Sequence, residues 1–273
     1  MDAHARMIPI MPWPEQRIWS PRRPLAAGLA GLWVVFLAPA AASDPPVSAP
    51  GAKAAPRLPT EPPAGNVALS SAPPQSTVLS LPFDGAWGVV QGMDSDGTHS
   101  GYATYALDFV PAEPVTEAVF RKRKRLADHP CYGRPVLASA AGRVVWARDG
   151  ARELPPFRES SKHEAGNFVI LEHAKDEFTE YRHLRRGSIP VKVGDAVAAR
   201  QLIGRCGNSG NAVTPHLHFA FLGSYDPIAT RPMRLSAYEE MTAAEKWQIG
   251  DGEPRKGQIV RPFAQPPAPA EAK

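Results

Sequence analysis

The most chemically suggestive stretch of the 273-residue chain is "TPHLHF", residues 214–219, which sets two imidazoles one residue apart. Side chains alternate along an extended strand, so His216, His218 and Ala220 share one face while Leu217, Phe219 and Phe221 share the other. The apolar set suits a core. The opposite face then offers two imidazoles side by side, with a small residue next to them. Such a pair can ligate one metal, or one ring can ligate while the other handles a water. An isolated H-x-H is as readily two incidental polar residues on a half-buried strand, so the other donors of the chain have to decide.

Those donors stand at positions able to converge. "YATYALDFVP", 102–111, reads as a strand with Leu107 and Phe109 on one face and Asp108 on the other. Nine residues earlier, "DGTHSG" places His99 in a turn-rich loop, and "FTEYRHLRRG", 178–187, sets His183 near the end of another strand, after Tyr181. Nitrogen and oxygen donors without thiolate suit zinc in a catalytic site, where three protein ligands leave one position open. Competing patterns fail. Gly210 and the H-x-H begin like a cupin signature, but Leu222 and Gly223 stand where that signature needs Glu. No H-E-x-x-H is present, and the "VKVGDAV" turn shared with lipoyl and biotinyl carriers has no modifiable lysine hairpin nearby.

The elements that must position these residues read mostly as β. "GRPVLASAAGRVVWARD", 133–149, holds two short runs around a turn at Ala141-Gly142; "GNFVILEH", 166–173, starts from a Gly-Asn turn. "IPVKVGDAV", 189–197, alternates Val191 and Val193, and "QLIGRCGNSGN", 201–211, dissolves into a glycine-rich loop. Short strands at this spacing predict a compact antiparallel, barrel- or sandwich-like single domain with peripheral loops. One short helix is expected over 236–247, "SAYEEMTAAEKW", opening with Ser236 and Glu239 as a capping box.

Around that domain, 81–262, composition shifts. Arg22-Arg23 precede fourteen uncharged residues, 25–38, and then "APAAAS". That run is short for a membrane span and suits a signal-peptide core, with cleavage after Ala40 or Ala42 or, alternatively, retention as an anchor. Residues 1–42 are therefore read as a signal peptide and the chain as exported, periplasmic or extracellular. Residues 43–80 read as a disordered linker, with nine prolines and seven alanines over 44–80 and no aromatic residue. Residues 263–273 read as a disordered tail. Four arginines against Asp2 and Glu15 leave with the leader, lowering the formal charge from +4 to +2, so nucleic acid is a poor candidate partner. Cys131 and Cys206, in an oxidising compartment, can pair if their backbones approach.

Taken in order, "GTHSGYATYALDFV", "GNFVILEH", "EYRHL", "VKVGDAVAARQLIGRCGNSGN" and "PHLHF" resemble the lysostaphin-type (LytM-domain) zinc metallopeptidases, bacterial cell-wall endopeptidases. The resemblance covers about 81–262 and departs from many members in the wider separation of the first His and the Asp. It implies an antiparallel β fold of the duplicated-hybrid-motif type, whose loops wall a groove. It implies that His99, Asp108 and His218 bind zinc, and that His216 and His183 flank the attacking water as general acid–base and oxyanion-stabilising groups. The expected activity is hydrolysis of peptide bonds in peptidoglycan stems or cross-links. The alternatives are a non-enzymatic relative that binds and activates cell-wall amidases, and a peptidase acting on a protein. Some such regulators lack the zinc ligands, whereas here all five positions are filled. The run "RKRKR", Arg121–Arg125, reads as a solvated loop or as an electrostatic contact with an anionic envelope. His129, His163 and His173 are expected at the surface.

Overall fold

The computed structural model describes residues 73–263 apart from 94–98, 100–102, 114–115, 159–164 and 226–227. The leader segment 1–42, most of the linker, residues 264–273 and His163 lie outside the described residues. In chain order the strands are β1 (Trp87–Gln91), β2 (Leu107–Pro111), β3 (Pro135–Leu137), β4 (Gly142–Arg148), β5 (Asn167–Ala174), β6 (Glu177–Leu184) and β7 (Ala196–Val197). They continue with β8 (Leu202–Arg205), β9 (Leu217–Tyr225), β10 (Ile228–Thr230), β11 (Tyr238–Met241), β12 (Trp247–Ile249) and β13 (Ile259–Pro262). A five-residue helix, α1 (Glu117–Arg121), sits in the long connection after β2, with Thr116 Oγ1 capping it by accepting from the Val119 N–H.

Eleven strands form one antiparallel sheet in the order β12-β11-β13-β1-β2-β9-β6-β5-β4-β7, with β10 paired to β9, while β3 and β8 pair separately. The large sheet remains open and does not close into a barrel. Both of its faces are covered. Leu217, Phe219 and Phe221 of β9 join Leu107, Phe109, Val169, Leu171 and Tyr181 in the main core. The alternate residues Ala220 and Leu222 join Phe168, Ile170, Trp146 and Phe178 in a second cluster. Phe219 is fully buried against the Tyr181 ring, 5.2 Å between centroids, so truncating it to Ala would cost about 3–5 kcal/mol.

Several expectations need correction. Residues 236–247 are not a helix: Tyr238–Met241 and Trp247–Ile249 form a hairpin, Met241 opposite Trp247. Long-range pairing overrides the local helix signal there. Tyr238 is buried, β11 pairs with β13, and Glu239 accepts from Arg261 across that pair. Ser236 caps nothing; its N–H and hydroxyl both donate to the Leu79 carbonyl. The run 189–197 is strand only at Ala196–Val197, because Lys192–Asp195 close a turn in which Asp195 accepts from the Lys192 N–H.

The ordered domain also begins earlier than composition suggests. Gln75 exchanges side-chain bonds with the Arg234 backbone, and Ser76 and Thr77 donate to the buried carboxylate of Glu177. Leu79 is fully buried. Finally, His129 is not at the surface but packs between Phe120 and Phe157, with ring centroids 5.5 and 6.0 Å away. His173 is half-buried, bridging the Ala141 carbonyl and the Thr179 hydroxyl.

Candidate metal centre

Strands β2, β9 and β6 lie side by side, and their register puts Asp108 opposite His218 and His218 opposite Arg182. Leu107, Phe109, Leu217, Phe219 and Tyr181 point into the main core. Alternation then directs Asp108, His218 and Arg182 from the other face. His216 immediately precedes β9. His183 breaks the rule: two residues after core-facing Tyr181 it should also face the core, yet its ring lies 4.7 Å from that of His216 and 5.7 Å from that of His218. Its φ of 61° lies in the left-handed region that non-glycine residues seldom adopt, and this turn of backbone explains the change of face.

The structure brings all five sequence-expected residues together, each of them buried. His99 Nε2 lies 3.1 Å from Asp108 Oδ2, His218 Nδ1 3.0 Å from Asp108 Oδ1, and His216 Nε2 3.7 Å from Asp108 Oδ2. One ligating atom from each of His99, Asp108 and His218 falls within 4.8 Å of the other two.

Backbone carbonyls fix the tautomers of three rings. Nδ1 of His99 faces the Ala106 carbonyl at 3.0 Å, that of His183 the Ser209 carbonyl at 2.8 Å, and that of His216 the Thr214 carbonyl at 2.8 Å. A carbonyl only accepts, so each Nδ1 carries the proton, and in a neutral ring each Nε2 is left with a lone pair. The His99 lone pair then meets a carboxylate oxygen at 3.1 Å. Two acceptors at that separation repel unless a proton on Nε2 or a metal cation stands between them. His218 Nε2, in turn, is buried with no hydrogen-bond partner among the described residues. Two imidazoles and one carboxylate converging this way fit a divalent transition metal.

The electrostatics agree. Burial works against ionising Asp108, but the His99 and His216 imidazoles and the hydrogen bonds it receives outweigh burial and hold it well below the usual carboxylate range. Burial also opposes a charge on His99, yet the Asp108 carboxylate beside it lifts its pKa above the ordinary value. For His183, burial and then repulsion from His216 and His218 hold the pKa well below that of a free imidazole. Burial likewise lowers His218, outweighing Asp108.

A support network around His183 had no counterpart in the sequence reading. Asn167 donates its side-chain amide to the Leu184 carbonyl and its backbone N–H to Ser209 Oγ, while Ser209 Oγ donates to that same Leu184 carbonyl. Gly166 makes this contact possible, since a Cβ there would stand 2.4 Å from the Ser209 carbonyl oxygen. The sequence marks both loops with a Gly-Asn pair, 166–167 and 207–208, but adjacency along the chain does not show that the two loops meet. Cys131 and Cys206 are bonded, Cα atoms 5.7 Å apart, which ties the connection after β2 to the loop that carries Ser209.

Residues 127–230 match the family described as Peptidase family M23. This chain carries a peptidase M23 domain. His183, His216 and His218 lie inside the matched segment of that M23 domain; His99 and Asp108 precede it and are reunited with it by the pairing of β2 with β9. The peptidoglycan DD-endopeptidase ShyA of Vibrio cholerae is 30% identical over 160 residues, which span 56% of this chain and 29% of ShyA. An uncharacterized metalloprotease of Buchnera aphidicola is 43% identical over 87 residues, 32% of this chain and 19% of its own. This chain thus spans under a third of the length of these curated relatives. Among solved structures, the catalytic domain of lysostaphin from Staphylococcus simulans aligns with a TM-score of 0.36 and 26% identity over 54% of this chain and 86% of that one.

Proposed function

We propose that this chain is an exported zinc metalloendopeptidase that cuts peptide bonds in peptidoglycan stems or cross-links. The observation that carries the proposal is the convergence of His99, Asp108 and His218, with the Nε2 lone pairs of His183 and His216 beside them. The M23 domain and the endopeptidase name of ShyA support the reaction and the substrate class. In this reading residues 1–42 are the export signal, residues 43 to about 72 tether the domain, and the protein works in the cell envelope.

His99, Asp108 and His218 would hold the zinc ion. When bound, zinc supplies a Lewis acid that polarises a carbonyl and acidifies water. The chain supplies the rest. His183 and His216, each anchored through Nδ1 to a carbonyl, present Nε2 as the atom that takes a proton from water and returns it to the leaving amine. The depressed pKa of His183 keeps it neutral, and so basic at Nε2, near pH 7. The other ring, where it enters the reaction already protonated at Nε2 from solvent, would donate from that atom to the oxyanion. No serine or cysteine nucleophile is required, and Cys206 is occupied in the cystine.

The test is digestion of purified sacculi by residues 43–273, with zinc and after chelation, the products resolved by mass. Chelator-sensitive release of fragments cut at a peptide bond is expected and would name the bond. Zinc bound without any release would instead favour a protein substrate or an amidase-activating role.

A further inference from the structure

The connection between β2 and β3, residues 112–134, carries six basic and three acidic residues, a net of +3, where the chain without residues 1–42 has a formal +2. Its charge is therefore local, not a property of the whole surface. Two of the acids are consumed inside it: Glu113 pairs with Arg123, and Asp128 with Arg125. Lys122 and Lys124 remain exposed, with no carboxylate partner among the described residues.

This basic turn is not a loose appendage. Cys131 bonds Cys206, the Gly133 N–H donates to the Cys206 carbonyl, and the Cys206 N–H donates to Arg134. Cys206 leads directly into Ser209, whose carbonyl orients His183. On the other flank Phe120 packs edge-on against Phe157, 5.8 Å between centroids, and the Lys124 ammonium stands 5.5 Å from the same ring. The Phe157 N–H then donates to the Val213 carbonyl, next to Thr214, whose carbonyl orients His216. Both attachments end on the loops that align the two candidate proton-transfer histidines.

We infer that this cystine-anchored turn is a substrate-binding rim, and that Lys122 and Lys124 recognise a carboxylate of an acidic peptide lying across the candidate metal centre. The inference rests on the peptidase reading for the identity of the bond that is cut. An anionic membrane fits the turn less well. Membrane seating calls for an apolar face beside the charges, and here the one strongly exposed large apolar side chain described in the connection is Val119.

The experiment measures binding to the zinc-loaded full chain by calorimetry at low and at 0.5 M salt. The probes are soluble peptides released from sacculi, with carboxylates free or converted to amides. The acidic form is expected to bind roughly tenfold tighter, a preference that high salt erases. Lys122→Glu/Lys124→Glu should remove the preference without changing zinc affinity or Tm. Lys175→Glu/Lys192→Glu, at exposed lysines outside this connection, should keep it. Equal affinity for both peptide forms, or a preference that survives the first double variant, overturns the inference. So does retention on anionic vesicles that depends on Lys122 and Lys124 when no peptide preference is seen. Cleavage of the free-carboxylate peptides, at concentrations that saturate the protein, is scored in parallel. Its absence, with the binding preference intact, would sink the peptidase reading and leave the rim standing.

Discussion

Glu180 and Arg182 form an ion pair inside the protein, and its removal is expected to act on both stability and metal binding. Glu180 is 0% exposed and Arg182 5%, with Nη2 to Oε1 at 2.7 Å. Both side chains leave β6 on the face of the candidate metal centre, Arg182 opposite His218 and Glu180 opposite Ala220. Replacing Glu180 by Gln keeps the shape but removes the carboxylate that balances a buried guanidinium. Loss of one partner of a buried pair costs about 3–5 kcal/mol. For a domain of this size each kcal/mol moves Tm by about 2–4 °C, so a fall of roughly 6–20 °C is expected. The uncompensated cation also repels a divalent metal held by its cross-strand neighbour His218. Zinc affinity, read by competition with a chromophoric chelator, should therefore drop at least tenfold. Glu180→Leu/Arg182→Met, which removes both charges, should recover most of the Tm and most of the affinity. A Glu180→Gln protein melting within 2 °C of the parent with unchanged zinc affinity would refute the reasoning, as would a double variant worse than the single.

Other outcomes follow from the same geometry. His218→Ala should abolish zinc binding, whereas His216→Ala should keep the metal and lose turnover by roughly 10²–10⁴-fold; equal zinc loss in both would sink that division of roles. Asn167→Ala removes the buried amide that donates to the Leu184 carbonyl and should cost about 1–3 kcal/mol in urea melts, lowering kcat through His183 with zinc affinity intact. Burial lowers the pKa of His129, so the folded protein resists the proton that the unfolded chain takes up near pH 6.5. That stability is present above pH 6.5 and lost below it, by up to about 1.4 kcal/mol per pH unit, and His129→Phe should flatten melts between pH 7.5 and 5. Reducing the cystine, which spans a sequence separation of 75, should cost about 4 kcal/mol of stability, checked by melts with and without reductant.

What could be read from the sequence was whatever depends on residues adjacent in the chain. The alternation in "PHLHFAF" and around Asp108 sorted donors from core because period 2 is a local property of a strand. Contacts made at long range were out of reach. The helix expected over 236–247 had a capping box and good helix formers, but Tyr238–Met241 found a partner in Ile259–Pro262. His129 looked solvated because its aromatic neighbours, Phe120 and Phe157, come from helix α1 and from the loop between β4 and β5. The end of the proline-rich segment looked unstructured because the carboxylate that receives Ser76 and Thr77 belongs to Glu177, about a hundred residues further on.

The left-handed backbone of His183 shows how the two levels meet. Strand alternation alone would bury that ring in the main core beside Tyr181, and a one-residue change of register would flip Tyr181 outward instead. A single residue at φ 61° permits both Tyr181 in the core and His183 in the centre. Such a conformation persists only where its surroundings over-determine it. Here the next residue, Leu184, receives hydrogen bonds at its carbonyl from Asn167 and Ser209 and bridges to Cys206, which the cystine holds. The sheet therefore sets Asp108 and His218, while the loops tied by Asn167, Ser209 and the cystine set His183. Loosening those loops should disturb proton transfer before it disturbs metal binding.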